Sequence, residues 1–159
     1  MDKELAKRKD LSLDRQVVSL NEVHLDQCMR LNDIALNGLW SKSQWEYELK
    51  SDYRHCLGVS EQESLIAISC GWIVANQLDI TAVAVDPRYR RLGLGSKILC
   101  ALINHAKSKG ATNATLEVNE ENIDGINFYR SLGFLQVGYR KNYYKDLSSA
   151  ILFSLYIDQ

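Results

Sequence analysis

The segment that decides the fold is Leu78-Asp79-Ile80-Thr81-Ala82-Val83-Ala84-Val85-Asp86-Pro87-Arg88-Tyr89-Arg90-Arg91-Leu92-Gly93-Leu94-Gly95-Ser96. Its first part ends in four consecutive apolar residues, 82–85, which is typical of a strand covered on both faces. Pro87 ends this strand, because proline has no backbone N–H to donate. Beyond Gly95, apolar residues recur at helical spacing as far as Gly110, so the sequence predicts a strand, a glycine-bearing loop and an amphipathic helix.

This junction has the features of an anion site. The first N–H groups of a helix lack internal partners, and the helix dipole places partial positive charge there. Glycines let a phosphate approach the backbone, and Arg90 and Arg91 add fixed charge. The dinucleotide pattern G-x-G-x-x-G does not fit, since the glycine after Gly93 and Gly95 is Gly110, and a G-K-[ST] motif does not fit either. An ordinary strand-loop-helix, whose glycines serve turn geometry alone, is the alternative.

The loop from Arg90 to Gly95 resembles the coenzyme A pyrophosphate loop, [QR]-x-x-G-x-[GA], of the GNAT N-acetyltransferase family. The longer stretch from Ala82 to Gly95 is similar to the RimI-type branch of that family, which acetylates protein N-termini. The resemblance implies acetyl-CoA as cosubstrate, with its pyrophosphate on the backbone of residues 91–96. The cofactor-binding residues that it implies are Val83, Ala84, Val85, Arg90, Arg91, Gly93, Leu94, Gly95, Ser96, Asn122 and Tyr129.

Along the chain, the sequence predicts a mobile tail, residues 1–14, and one α/β domain, residues 15–159. An apolar stripe with Val23, Cys28 and Leu31 predicts a helix after Asn21, and Ser41 with Gln44 forms a capping box that predicts a second helix. The resemblance implies a GNAT fold: a mixed, mostly antiparallel sheet flanked by helices, whose two parallel strands splay apart at the cofactor site. Strands are predicted at 15–20, 55–60, 65–74, 77–85, 114–118, 135–140 and 148–157.

Composition sets broad limits. The chain has 159 residues and a net charge of −1, which gives no support to bulk binding of nucleic acid or of a membrane surface. Its apolar runs are too short for a membrane span, and its charged start does not resemble a signal peptide. The four cysteines lack C-x-x-C spacing and the histidines form no H-x-x-x-H pair, so we expect reduced thiols, no metal and a cytoplasmic location. We expect a monomer or weak dimer.

Glu117 is the first catalytic candidate. In its predicted strand it faces away from Leu116 and Val118, and from pattern alone a solvent-facing glutamate is the simpler interpretation. Amide formation requires a neutral amine, and an α-amino group has a pKa of about 7.7–8.0, so a modest base suffices. The string Leu116-Glu117-Val118 resembles the L-E-V-R segment of RimI-type proteins, which implies that Glu117 is that base. Asn119 stands where that segment has arginine.

Tyr129 is the second candidate, and from spacing alone it reads as a core aromatic. The string from Asn122 to Phe134 resembles the GNAT element N…(L/F)-Y-x-x-x-G-F. That resemblance implies that Asn122 contacts the pantetheine or the substrate backbone and that Tyr129 protonates the departing thiolate. Gly125 lies within the predicted helix, where glycine costs about 0.5–1 kcal/mol relative to alanine, so we expect it to let the cofactor's arm pass close by.

Trp40, Tyr143 and Tyr144 are the candidate substrate-binding residues. Trp40 directly precedes the Ser41 cap, where a hydrophobic staple or a core position is the simpler interpretation, and a substrate-facing edge is the functional one. The stretch Arg140…Tyr143-Tyr144 resembles the R-x-Y-Y stretch of RimI-type proteins with one residue added, in a tyrosine-bearing hairpin loop that the family places over the peptide entry. A solvated basic loop with edge tyrosines is the alternative.

Together these patterns predict an N-acetyltransferase that moves acetyl from acetyl-CoA to the α-amino group of a protein N-terminus, such as that of a ribosomal protein. The amine attacks directly in a ternary complex, since none of the cysteines sits in a nucleophile motif. One alternative is acetylation of a small amine such as an amino acid, polyamine or drug. Another is an acyl-CoA sensor that binds the cofactor without turnover.

Overall fold

The structure is a computed structural model that describes residues 15–158, so the tail predicted for residues 1–14 lies outside the described residues. The helices are α1 (Leu25–Leu36), α2 (Lys42–Lys50), α3 (Leu94–Ser108) and α4 (Ile123–Ser131), with 3-10 turns at Glu22–His24 and Pro87–Tyr89. The strands are β1 (Val17–Ser19), β2 (Arg54–Glu61), β3 (Ser64–Val74), β4 (Gln77–Val85), β5 (Asn113–Asn119), β6 (Leu135–Arg140) and β7 (Ala150–Tyr156).

Within the described residues, the strands form one seven-stranded sheet in the order β1-β2-β3-β4-β5-β7-β6. The pairing changes at β5, which runs parallel to β4 and antiparallel to β7. The parallel register covers 77–79 with 113–115, although the strands continue to Val85 and Asn119. A mixed sheet with a short parallel register confirms the predicted fold class and fits the expected splayed pair.

The chain divides into two compact units, described separately below. Among the described residues, the first unit contains 15–71 and 82–102, and the second contains 72–81 and 103–158. The single domain expected from residue 15 onward stays a prediction.

The first unit has a core of buried apolar side chains from α1, α2 and strands β2 to β4. Cys28 and Leu31 of α1 belong to it, as predicted, and both are fully buried. The prediction for Val23 was wrong, because this side chain is 82% exposed. The reason is local: Asn21 caps a 3-10 turn in which Val23 N–H donates to Asn21 Oδ1 and His24 Nδ1 accepts from the Asn21 N–H, so the α-helix begins only at Leu25.

The start of α2 matches the prediction closely. Ser41 Oγ accepts from the Gln44 N–H and Gln44 Oε1 accepts from the Ser41 N–H, which is the predicted capping box. Trp40 lies just before the cap and its ring centroid is 4.7 Å from that of Trp45, which is fully buried. A residue before the cap packed against the fourth helical residue is a hydrophobic staple, and it fixes how the chain enters α2.

In the second unit, strand β5 alternates as predicted, with Ala114, Leu116 and Val118 buried and the residues between them half-buried. β6 and β7 form the predicted closing hairpin, with Arg140 opposite Ala150 at the loop end. β7 is shorter than predicted, because Ser148 and Ser149 are used in side-chain hydrogen bonds of the connecting loop. This hairpin and β5 carry most of the chemistry described next.

Candidate active site

The turn that leads into the glycine loop is fixed by a buried carboxylate, Asp86, at the end of β4. Asp86 accepts from the Arg88 backbone N–H at 3.0 Å and from the Arg88 guanidinium at 2.8 and 3.1 Å. Arg30 of α1 lies 3.5 Å away and also donates to the Leu65 carbonyl at 2.7 Å. These donors, Arg88 first, lower the pKa of Asp86 from its ordinary 3.8 to about 2, so the carboxylate is charged at neutral pH.

The loop itself ends in a helix N-terminus whose geometry suits an anion. Arg91 and Gly93 both have positive φ, 61° and 75°, and the Lys97 N–H makes the first helical hydrogen bond to the Gly93 carbonyl at 3.0 Å. The N–H groups of Leu94, Gly95 and Ser96 precede that bond and so have no intrahelical acceptor. The loop residues predicted for the cofactor are therefore gathered at the start of α3, as the pyrophosphate role requires. In the same unit, Arg90 Nε donates to the Val85 carbonyl at 3.4 Å.

Glu117 projects from β5 on the half-buried face, and its side chain is 28% exposed. Arg140 Nη1 lies 3.2 Å from Glu117 Oε1, and interaction with the same carboxylate raises the pKa of Tyr143. The Arg140 guanidinium carbon is 5.3 Å from the Tyr143 ring centroid. The structure thus brings together Glu117 and Tyr143, which the sequence selected, and adds Arg140, which it did not.

One feature of the sequence pointed to Arg140: it belongs to the stretch Arg140…Tyr143-Tyr144. The resemblance of that stretch to a family loop did not indicate which residue the arginine contacts. The contact depends on register, because Arg140 and Asn119 both lie opposite Ala150, on either side of β7. Such a non-local arrangement is not encoded in the spacing along the chain.

Tyr129 lies on α4 among aromatic rings of its own unit. Its ring centroid is 5.2 Å from Phe128, 5.9 Å from Phe134 and 6.4 Å from Phe153. Burial, with a smaller effect of Tyr144, raises the pKa of Tyr129 to about 12. The ring contacts are those of the core interpretation, while a hydroxyl that stays protonated at neutral pH can still donate a hydrogen bond.

Asn122 caps α4, and this explains Gly125. Asn122 Oδ1 accepts from the Gly125 N–H at 3.0 Å. A Cβ on Gly125 would lie 2.6 Å from Asn122 Nδ2, so a larger residue here would displace the capping side chain. The helix cap accounts for this glycine by itself, and passage of the cofactor's arm beside it stays a prediction.

The loop between β6 and β7 is fastened to the turn after β5. Asn119 Nδ2 donates to Ser148 Oγ at 2.7 Å, and the Ser149 N–H donates to Glu120 Oε1 at 3.1 Å. In the loop, the centroids of Tyr143 and Tyr144 are 5.1 Å apart. Asn119, which replaces the arginine of the family segment, therefore serves as an anchor of the tyrosine loop.

Trp40 belongs to the first unit, and its contacts are those of the core interpretation. Its backbone N–H donates to Asn32 Oδ1 and its carbonyl accepts from Asn32 Nδ2, both at 3.1 Å, while its ring packs on Trp45. A substrate contact for Trp40 stays a prediction.

Other kinds of site find no support in the part of the chain that the structure describes. Between residues 15 and 158, no three His, Cys, Asp or Glu side chains are grouped to hold a metal ion. No helix in that range combines the length and the apolar character that a membrane crossing needs. The four cysteines are free thiols; Cys28, Cys56 and Cys70 are buried and Cys100 is exposed.

A mixed sheet with one parallel pair and a glycine loop at a helix N-terminus is the arrangement that the resemblance to the GNAT family implied. A family model described as "Acetyltransferase (GNAT) family" matches residues 24–134, and the chain belongs to that family. It is accordingly an N-acetyltransferase that uses acetyl-CoA, and solved structures with this fold hold coenzyme A.

Two curated relatives and one solved structure are similar over most of their length. A [ribosomal protein bS18]-alanine N-acetyltransferase from Haemophilus ducreyi is 31% identical over 122 residues, covering 74% of this chain and 83% of its own. A Bacillus subtilis protein, 34% identical over 129 residues, covers 74% and 85%, and its name gives it the same activity provisionally. The crystal structure of the ribosomal-protein-S18-alanine N-acetyltransferase from Escherichia coli has a TM-score of 0.84 at 27% identity, over 91% of this chain and 95% of that one.

Proposed function

We propose that this enzyme acetylates the α-amino group of a protein N-terminus, and that the acceptor is a ribosomal protein of the bS18 kind. The observation that carries the proposal is the 3.2 Å contact between Glu117 and Arg140, which joins the candidate base to the hairpin that bears the exposed Tyr143 loop. The relatives named for bS18-alanine acetylation support the same acceptor class. We place the reaction in the cytoplasm and expect a monomer or weak dimer at work.

Glu117 acts on the acceptor. An α-ammonium group with a pKa of about 7.7–8.0 loses a proton to a water held by the Glu117 carboxylate. The neutral amine then attacks the thioester carbon, so that a C–N bond forms, the C–S bond breaks, and coenzyme A leaves as a thiolate. The attacking nitrogen loses its second proton to solvent as the amide forms. No covalent intermediate on the protein is needed, because both substrates are bound together.

Tyr129 acts on the leaving group, and its pKa determines whether it transfers a proton or donates a hydrogen bond. The sequence predicted a phenol near pKa 10 that hands over its proton, whereas the pKa of Tyr129 is raised to about 12. A thiol titrates near ~8.5, so complete transfer to the thiolate is uphill by roughly 3.5 pKa units, or about 5 kcal/mol. Tyr129 therefore stabilises the thiolate by hydrogen-bond donation, and solvent supplies the proton as the product leaves.

The cofactor is held by backbone more than by side chains. The N–H groups of residues 91–96 bind the pyrophosphate, with Arg90 and Arg91 adding charge. The backbone of Val83, Ala84 and Val85 pairs with the pantetheine arm, and Asn122 contacts it at the start of α4. The buried Asp86 turn keeps the loop in place while the cofactor exchanges.

Charge around the candidate base argues against the small-amine alternative. A pocket for polyamines or aminoglycosides has to be acidic, whereas Arg140, at the start of the loop between β6 and β7, contacts Glu117 directly. Tyr143 in that loop is 46% exposed, which suits an acceptor that enters from outside. The presence of both Glu117 and Tyr129 argues against a sensor without turnover.

The test is acetyl-CoA turnover with short peptides that begin with alanine, beside free amino acids and polyamines. The same alanine peptide with a blocked amino group is the control for the site of transfer. We expect turnover on free peptide N-termini only, with large losses for Glu117→Gln and Tyr129→Phe. Turnover confined to small amines would overturn the acceptor assignment, and cofactor binding without turnover on any acceptor would favour the sensor.

A further inference from the structure

The carboxylate of Glu117 is held from one side by two residues of the β6–β7 hairpin. Arg140 Nη1 lies 3.2 Å from Oε1, and the carboxylate also interacts with the Tyr143 hydroxyl, whose pKa it raises. The two hairpin residues also contact each other, with the guanidinium 5.3 Å from the Tyr143 ring centroid. We call Glu117, Arg140 and Tyr143 the Glu117 clamp.

The sheet register explains why Arg140 and not residue 119 supplies the guanidinium. Asn119 and Arg140 lie opposite the same residue of β7, Ala150, so they are in line across the sheet, about 10 Å apart at a strand spacing of ~4.8 Å. A long arginine side chain can cross this distance toward β5. Asn119 is short and already bonded, to Ser148 Oγ at 2.7 Å and to the Glu121 N–H at 2.9 Å.

The Glu117 clamp leaves the carboxylate able to accept a further hydrogen bond. An ionised carboxylate accepts about four hydrogen bonds, so the contacts with the hairpin leave capacity for a water that receives the amine's proton. The planar guanidinium is a directional donor that can fix the orientation of a carboxylate. Arg140 and Glu117 are 52% and 28% exposed, so this ion pair contributes little to folding stability.

We propose that Arg140 is a positioning residue of the reaction, whose guanidinium orients the Glu117 carboxylate for proton acceptance from the acceptor amine. This inference rests on the proposed function, in which Glu117 is the base. In this role Arg140 acts through Glu117. Its effect therefore falls on kcat, leaves the KM for acetyl-CoA unchanged, and requires Glu117 to be present.

The experiment is a double-mutant cycle with Arg140→Gln and Glu117→Gln, measured as steady-state turnover of an alanine-initiated peptide. We expect Arg140→Gln to lower kcat about tenfold in the wild-type background, the scale of one charge-assisted hydrogen bond. In the Glu117→Gln background it should change kcat by less than twofold. Arg140→Lys, which keeps the charge and loses the planar fork, should fall between the two.

The matched control is Lys141→Gln, which removes the same charge from the adjacent exposed position and should keep wild-type kcat. Equal losses for Arg140→Gln in both backgrounds, or a kcat like that of Lys141→Gln, would overturn the proposal. Wild-type activity of Glu117→Gln would overturn it together with the base assignment. If the wild type acetylates only a small amine, the acceptor assignment fails, and the same cycle on that amine decides the role of Arg140.

Discussion

Replacing Asp86 with asparagine tests how the glycine loop after β4 is held. The substitution keeps the shape of the side chain and removes the charge that Arg88 and Arg30 share. The pKa of Asp86 falls from 3.8 to about 2 on folding, which corresponds to about 2.4 kcal/mol at ~1.36 kcal/mol per unit. Because the Arg88 side chain is 70% exposed and screened by water, we expect a loss of about 1–2 kcal/mol at neutral pH.

The stabilisation by Asp86 should depend on pH in a defined direction. The folded-state pKa lies below the unfolded-state value, so the stabilisation is complete above about pH 5 and is lost as the pH falls through 4 toward 2. The difference in free energy of unfolding between wild type and Asp86→Asn should therefore shrink toward zero in acid. A variant that cannot titrate at residue 86 isolates this contribution from all other carboxylates.

The assay is urea unfolding followed by tryptophan fluorescence at pH 7, 5 and 3, for both proteins. Asp52→Asn, at an exposed position of the same unit, controls for loss of one negative charge. A difference that stays the same from pH 7 to pH 3, or one already near zero at pH 7, would refute the account of Asp86 as a charged anchor.

Three further predictions concern single side chains. Tyr129→Phe should lower kcat about 100-fold with an unchanged melting temperature, since it deletes only the donating hydroxyl, and an unchanged kcat would show that Tyr129 is a core residue alone. Gly125→Ala should lower the free energy of unfolding by about 1 kcal/mol, because the new Cβ meets the Asn122 side chain that caps α4. Helix propensity alone predicts a gain in stability instead. In an Asn122→Ala background the loss should vanish. Trp45→Ala should lose about 3–5 kcal/mol in urea unfolding, as expected for a fully buried ring, and Trp40→Ala clearly less; equal losses would contradict the staple.

Local signals in the sequence predicted much of this protein. The capping box at Ser41 and Gln44, the alternation of β5 and the loop around Gly93 all depend on neighbours a few residues apart. The prediction for Val23 was wrong because two patterns overlap there. The apolar stripe suggested a helix directly after Asn21, but Asn21 caps a 3-10 turn that precedes the α-helix. The spacing marked Gly125 as unusual, yet the cause, a capping side chain folded over it, is visible only in three dimensions.

The rest of the candidate site depends on register between distant strands. Arg140 meets Glu117 because β5 and β6 share β7 as neighbour, and a shift of one residue in either pairing would turn the arginine to the other face. Asp86 looked like a turn residue before Pro87, and nothing nearby indicated that Arg30, far earlier in the chain, reaches it. Contacts of this kind follow from the fold and cannot be read from spacing.

The distribution of the four thiols gives the protein a built-in chemical reporter. Cys100 alone is exposed, while Cys28, Cys56 and Cys70 are enclosed in the first unit's core. A thiol-reactive dye should therefore attach once to the native enzyme, on α3, and four times to the unfolded chain. Labelling stoichiometry then counts opened molecules directly, and a fluorophore on α3 can follow cofactor binding without an engineered cysteine.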